Sequence, residues 1–199
     1  QHISTDKVLG RLSASEGDIE EVTVSEDLSG TIAAHTSLAT AKATKDYVDS
    51  TGVKQVVSTL STTKIHDTSA TQIPADNTIP QNNEGIEAMT RAITPKYSDS
   101  LIKIDVIANF SSGGSSKCCA LFKDSTADAI AVAFAEDSGN NSSNIFLSFI
   151  ETSGSTSERT YKVRVGGNDA DVTFNGDNDD VARYGGVLTS SIIITEIKQ

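Results

Sequence analysis

Five aspartates and three asparagines crowd one short stretch of this chain: Asn168, Asp169, Asp171, Asn175, Asp177, Asn178, Asp179 and Asp180. Hard oxygen donors at alternating positions suit Ca²⁺. The run Asp177-Asn-Asp-Asp180 lacks the sixth-position glycine and the closing glutamate of an EF-hand loop, so a solvated acidic turn is the expectation and no metal site is assigned. A glycoside hydrolase would need two carboxylates about 5 to 10 Å apart across a groove. Any of these aspartates could supply one, but spacing along the chain does not place a pair, so no catalytic residue is assigned. His2, His35 and His66 stand far apart, with no cysteine or carboxylate at ligand spacing, which argues against zinc. There is no Gly-x-Ser-x-Gly elbow and no Gly-x-x-x-x-Gly-Lys loop. The expectation is a protein that is not an enzyme and takes no cofactor.

Binding is the chemistry these residues suit. Loop tips on a rigid scaffold carry recognition groups, and amide, carboxylate and phenol groups match sugar hydroxyls. The candidate ligand-binding set is Asn140, Asn141 and Asn144 from one polar run, Asn175, Asp177, Asn178 and Asp179 from the acidic loop, and Tyr184 beyond it. With no Trp and 5% aromatic residues a strong stacking platform is missing. Each contact would be modest and would depend on several linked copies.

The elements that must position these loops read as strands. Leu101 to Asn109 alternates apolar Ile102, Ile104, Val106 and Ala108 with polar neighbours, Ile107 excepted, and Arg159 to Val165 alternates too. Ser191 to Ile197 is β-branched, too short for a helix and too apolar for a surface loop; it reads as a buried final strand. Cys118–Phe122, Ala129–Ala135, Ile145–Ile150 and Val172–Phe174 add further strands, separated by Gly, Ser, Asn and Asp. Ile65 to Ile73 reads as an opening strand ended by Pro74, and Glu87 to Ile93 as a strand or short helix. Nine or so short strands point to an antiparallel sandwich, eight being the jelly-roll count. Ala129-Ile-Ala-Val-Ala-Phe-Ala135 is small on one face and bulky on the other, which suits a close approach such as a three-fold axis.

Three regions follow. Residues 1–35 hold little periodicity and form an extended N-terminal arm for attachment or packing against another chain. Residues 36–62 form a short helical neck, capped by Ser37 and stopped by Gly52, with a thin seam at Ala34, Leu38, Ala41 and Val48 that Val53, Val56, Val57 and Leu60 continue. Residues 63–199 are the β-sandwich head. A net charge of -11 and a pI near 4.6 argue against nucleic acid and an anionic membrane surface. No apolar run of 18 residues occurs, the first residues are unlike a signal peptide, and the absence of an initiator Met suggests a segment or processed product. Adjacent Cys118 and Cys119 point to opposite faces of a strand, and a bridge between them would be strained, so two buried free thiols and a reducing compartment are expected. Hydrophobic residues are only 37%, which suggests that partner chains complete the interior.

Phe174-Asn-Gly176, an acidic loop, Arg183-Tyr-Gly-Gly186 and then Ser190-Ser-Ile-Ile-Ile-Thr-Glu-Ile197 resemble the C-terminal region of tail-fibre and receptor-binding proteins of tailed bacteriophages. Val8-Leu-Gly-Arg11 followed by Gly17-Asp-Ile-Glu-Glu-Val22 is similar to the junction where such fibres lead into their distal part. The resemblance implies a jelly-roll sandwich, a head like that of tumour-necrosis-factor-like trimers, and a homotrimer held to other virion tail or appendage proteins by the arm. It also implies a virion protein, assembled in the host cytoplasm, that recognises a host surface glycan or outer-membrane receptor without nucleic acid or membrane insertion. The rivals are a head-decoration or neck appendage protein, a capsular-polysaccharide depolymerase with carboxylates at a subunit interface, and a cellular lectin-like or complement-like trimeric module.

Overall fold

The computed structural model describes residues 7–10, 20–25, 37–136 and 141–199. It divides into two compact units, Gln1–Gly52 with Lys198–Gln199, and Val53–Ile197.

In the first unit β1 (Lys7–Gly10) pairs antiparallel with β2 (Glu20–Ser25), and β2 pairs parallel with β3 (Ser37–Ala39). The remaining positions of the expected arm lie outside the described residues. Helix α1 spans Ala41–Ser50, and its N-cap is Thr40 rather than Ser37: the Thr40 hydroxyl accepts from Ala43 N at 2.9 Å, meeting one of the first-turn donors. Lys42 pairs with Asp46 at 2.6 Å, and Lys45 pairs with Asp49 about one turn further on. Of the helical residues only Ala43 is buried; Tyr47 and Val48 are exposed.

Gly52, at φ +84, turns the chain out of the helix. The expected seam over Val53, Val56, Val57 and Leu60 is a strand instead, β4 (Gly52–Ser61). The helical neck of 36–62 is therefore helical only from Ala41 to Ser50. Val53-Lys-Gln-Val-Val-Ser-Thr-Leu is rich in β-branched residues, and Val57 packs on the sandwich core.

The second unit is an antiparallel β-sandwich. One sheet has the order β4-β13-β7-β12-β5, with β10 on the far edge of β7; the other has the order β6-β11-β8-β9. The strands are β5 (Ile65–Asp67), β6 (Ile86–Ile93), β7 (Leu101–Ser112), β8 (Ser116–Lys123), β9 (Ala131–Glu136), β10 (Ser142–Thr152), β11 (Arg159–Gly167), β12 (Val172–Phe174) and β13 (Ser190–Lys198). β7 is the spine. One edge pairs with β10 along eleven positions, and the other is shared end to end by β13 and β12. The final strand lies inside the sheet, between β4 and β7.

Alternation builds the core. Ile102, Ile104, Val106, Ala108 and Phe110 of β7, with Ile192 and Ile194 of β13, face Met89, Tyr161, Val163, Val165 and Leu121 of the other sheet. Burying each large aliphatic side chain contributes roughly 1.5 to 3 kcal/mol. β8 is covered on both faces, with Cys119 and Leu121 in this core and Cys118, Ala120 and Phe122 in a second cluster with Ile73. The expected strand 65–73 therefore ends at Asp67, because Ile73 is carried away to seal the outer face of β8.

Both cysteines are free and buried, and burial pushes each thiol up to about 12. The native protein is accordingly expected to leave both thiols unmodified by a disulfide reagent at pH 8 over minutes and to titrate both after denaturation. Fast labelling of either thiol in the native protein would contradict this packing.

Candidate functional site

A polar cleft of about 740 Å³ opens where the start of β10 meets the loop between β12 and β13. Asn141, Asn144, Asp177, Asn178, Asp179 and Tyr184 of the sequence-derived set line it together. Asn140 lies outside the described residues. Asn175 sits behind the wall, and is 2% exposed.

The strand register assembles one wall. Asn144 of β10 stands opposite Asn109 of β7 and donates to its side-chain oxygen at 2.8 Å, while the Asn109 amide donates to Thr189 O at 2.8 Å. The Asn109–Asn144 pair thus offers a ligand an oriented amide face. Ser142 Oγ donates to Gly176 O at 3.2 Å, tying the start of β10 to the acidic loop.

The opposite wall hangs on Asn175. This residue takes a left-handed backbone conformation, φ +52, which asparagine tolerates better than most side chains. Its Nδ2 donates to Ser61 O at 2.9 Å and Thr63 O at 3.2 Å, and its Oδ1 accepts from Ser190 Oγ at 2.7 Å. All its polar atoms face inward, so it is a hinge post for the loop and not a ligand contact. Asp177 closes the loop on itself: Oδ1 accepts from Val181 N at 2.9 Å and Asp179 N at 3.1 Å, and Oδ2 pairs with the Arg183 guanidinium. Burial works against the Asp177 carboxylate, but the Val181 N–H, the Arg183 charge and the Asp179 N–H outweigh it and hold its pKa below the ordinary carboxylate value. Asp180 is also lowered, first by its hydrogen bond from Lys64. Lys64 donates to Asp180 O at 2.7 Å as well, anchoring the loop to the β4–β5 connection.

Tyr184 is 82% exposed and has φ +51, followed by Gly185 at +65 and Gly186 at +80. A bulky residue in the left-handed region costs on the order of 1 to 3 kcal/mol and persists where surrounding structure imposes it. Here the turn lifts the phenol ring out of the surface at the cleft mouth, where a ligand can stack on it.

The acidic run is divided between two places. Asn168 and Asp169 pack against the β7–β8 turn, Asn168 Oδ1 accepting from Ser116 N at 3.0 Å and Asp169 turning back to Asp171 N at 2.8 Å. Only residues 177–179 reach the cleft. Among the described residues no group of three or more histidines, cysteines or carboxylates stands close enough to hold a metal ion. Asn109, Arg183 and Leu188 are cleft residues that sequence reading missed. Asn109 had a signal, an amide closing an otherwise apolar-alternating strand.

No protein-family model and no curated protein sequence matches this chain. Among solved structures it is similar to dimeric latent PorU from Porphyromonas gingivalis, with a TM-score of 0.35 and 8% identity over 74% of this chain and 13% of that one. It is also similar to the enzymatically active domain of tailspike protein 4 of bacteriophage CBA120, with a TM-score of 0.26 and 12% identity over 62% of this chain and 18% of that one. The chain spans less than a fifth of either protein. Among the described residues no helix is long and apolar enough to cross a membrane.

Proposed function

We propose that this chain is a structural, adhesive component of a bacteriophage virion, a tail-fibre or receptor-binding protein that recognises a host surface glycan. The observation that carries the reading is the convergence of Asn141, Asn144, Asp177, Asn178, Asp179 and Tyr184, from segments more than thirty residues apart, on one polar cleft. Amide and carboxylate groups accept and donate to sugar hydroxyls, and a single exposed phenol gives one stacking face. Such a site binds weakly. Adhesion then comes from a homotrimer carried in several copies on a particle, with the N-terminal arm joining other virion proteins. The phage assignment itself rests on the resemblance of the C-terminal segment and the fibre-junction pattern near the N-terminus.

In the depolymerase alternative Asp177, whose pKa its hydrogen bonds and Arg183 hold below the ordinary carboxylate value, suits the ionised carboxylate and not the general acid, which needs a raised pKa. The test is binding of the protein to host cells with whole phage as competitor, beside a reducing-end assay on capsular polysaccharide. Saturable, competed binding without new reducing ends is expected. Reducing ends would favour the depolymerase, and particles coated without blocked adsorption would favour a decoration protein.

Tyr184→Ala leaves the same backbone strain and removes only the ring. It is expected to weaken binding several-fold per head, about 1 kcal/mol, and far more on intact multivalent particles. Surface plasmon resonance on immobilised host glycan checks this, with an unchanged melting temperature as the control. Unaltered affinity would place the ligand elsewhere.

A further inference from the structure

The charges that line the polar cleft do not balance. Among the described residues its charged groups are Asp177, Asp179 and Arg183. The Arg183 guanidinium is committed to Asp177, and Lys64, the cation that anchors the same loop, is committed to Asp180. Asp179 has no such partner. Its N–H donates to Asp177 Oδ1 at 3.1 Å, but its exposed carboxylate makes no hydrogen bond or ion pair with a described residue. The protein thus leaves one negative charge uncompensated at the cleft, in a chain whose net charge is already -11.

The uncharged groups lean the same way. Asn144 Nδ2 donates to Asn109 Oδ1 and Asn109 Nδ2 to Thr189 O, at 2.8 Å each, which leaves Asn144 Oδ1 as an exposed acceptor without a donor among the described residues. Asn178 Oδ1 is shielded from solvent and also lacks a donor, so its partial negative charge adds to that of Asp179. Tyr184 offers its exposed ring at the cleft mouth, and the electron-rich face of such a ring attracts a cation.

We propose that the cleft takes a protonated amine, carried by an amino sugar whose nitrogen is not acylated, and discriminates against uronic and other acidic sugars. An ammonium brings three N–H donors and a positive charge. Those are what the Asp179 carboxylate, Asn144 Oδ1 and the Tyr184 ring face lack. An acid group on the sugar would meet the like charge of Asp179, while the charge of Arg183 is already offset by Asp177. An acetylated nitrogen keeps one donor and loses the charge. The inference rests on the glycan reading of this cleft and adds the class of sugar it selects.

The test is isothermal titration of the full chain with a glucosamine trimer, an N-acetylglucosamine trimer and a galacturonic acid trimer. The amine-bearing trimer is expected to bind about tenfold more tightly than the acetylated one at low salt, from one exposed ion pair and one cation–ring contact. It should lose most of that advantage at roughly 0.5 M salt. The acidic trimer is expected to bind most weakly. Asp179→Asn should bring the amine-bearing and acetylated trimers to within about twofold of each other, with the melting temperature unchanged because the carboxylate holds no described residue. Glu158→Gln removes the same charge at an exposed position away from the cleft and should keep the preference. An equal loss in Glu158→Gln would mean general attraction to an acidic chain and overturns the site, as does a preference that survives Asp179→Asn. Tighter binding of the acetylated or the acidic trimer overturns the ammonium site and leaves the glycan reading standing. If none of the trimers binds, the ammonium site is overturned, and the host-cell competition decides the glycan reading separately.

Discussion

Glu196→Ala is expected to lower the stability of the sandwich by about 3 kcal/mol, because it strands the part-buried backbone donors of Lys96 and Tyr97 and the buried Ser100 hydroxyl, at roughly 1 kcal/mol each. The Glu196 side chain is fully buried near the end of β13. It accepts from Lys96 N at 2.9 and 3.0 Å, Tyr97 N at 3.0 Å, Ser100 Oγ at 2.8 Å and Gln55 Nε2 at 2.7 Å. One carboxylate therefore gathers the β6–β7 turn, the start of β7 and strand β4. Burial opposes its ionisation, yet the hydrogen bonds from Lys96, Ser100, Gln55 and Tyr97 prevail and hold its pKa below the ordinary 4.5. A folded-state pKa below the unfolded one means that the stabilisation is fully present above about 4.5 and is lost as pH falls through the folded value. Urea unfolding at fixed protein concentration, at pH 7 and near pH 3, measures both effects. Glu196→Gln should flatten the acid part of the profile as well as lowering the plateau. A loss under 1 kcal/mol for the alanine variant at pH 7 would show that this network is not structural.

The second large effect is at Asn175. Asn175→Ala removes the three side-chain hydrogen bonds to Ser61, Thr63 and Ser190 and places a Cβ-bearing residue without a local polar partner at φ +52. The left-handed conformation costs about 1 to 2 kcal/mol and the stranded partners a similar amount. The expected loss is about 3 kcal/mol, with glycan binding abolished because the acidic loop loses its post. Asn175→Gly separates the two causes: it relieves the backbone and should recover about 1 kcal/mol while binding stays lost. Denaturant midpoints and the binding assay read the two quantities. Full binding by either variant would mean that the loop is held by Asp177, Arg183 and Lys64 alone.

Much of the fold is legible locally. Alternation over Ile102 to Ala108, the β-branched run of the final strand, and the opposed thiols of Cys118 and Cys119 depend on the two-residue period of a strand, and the structure follows them. Residues 53–60 mislead, because valines at three- and four-residue spacing satisfy a helical seam as well as a strand, and only the availability of the sandwich core decides. Ile73 misleads for a related reason, since its burial comes from β8, more than forty residues away in sequence.

The site shows the same division. Residue chemistry nominated the loop-tip amides, carboxylates and phenol, because turns are where Asn, Asp and Gly are favoured whatever surrounds them. Local sequence supplies the set of groups available and the strand period that turns them outward. Long-range packing turns Asn175 inward while Asn178 lines the cleft, joins Asn109 to Asn144, and binds Asp177 to Arg183. Those outcomes depend on pairing between distant strands, whose register is set by the packing of the whole interior and not by any local run of residues.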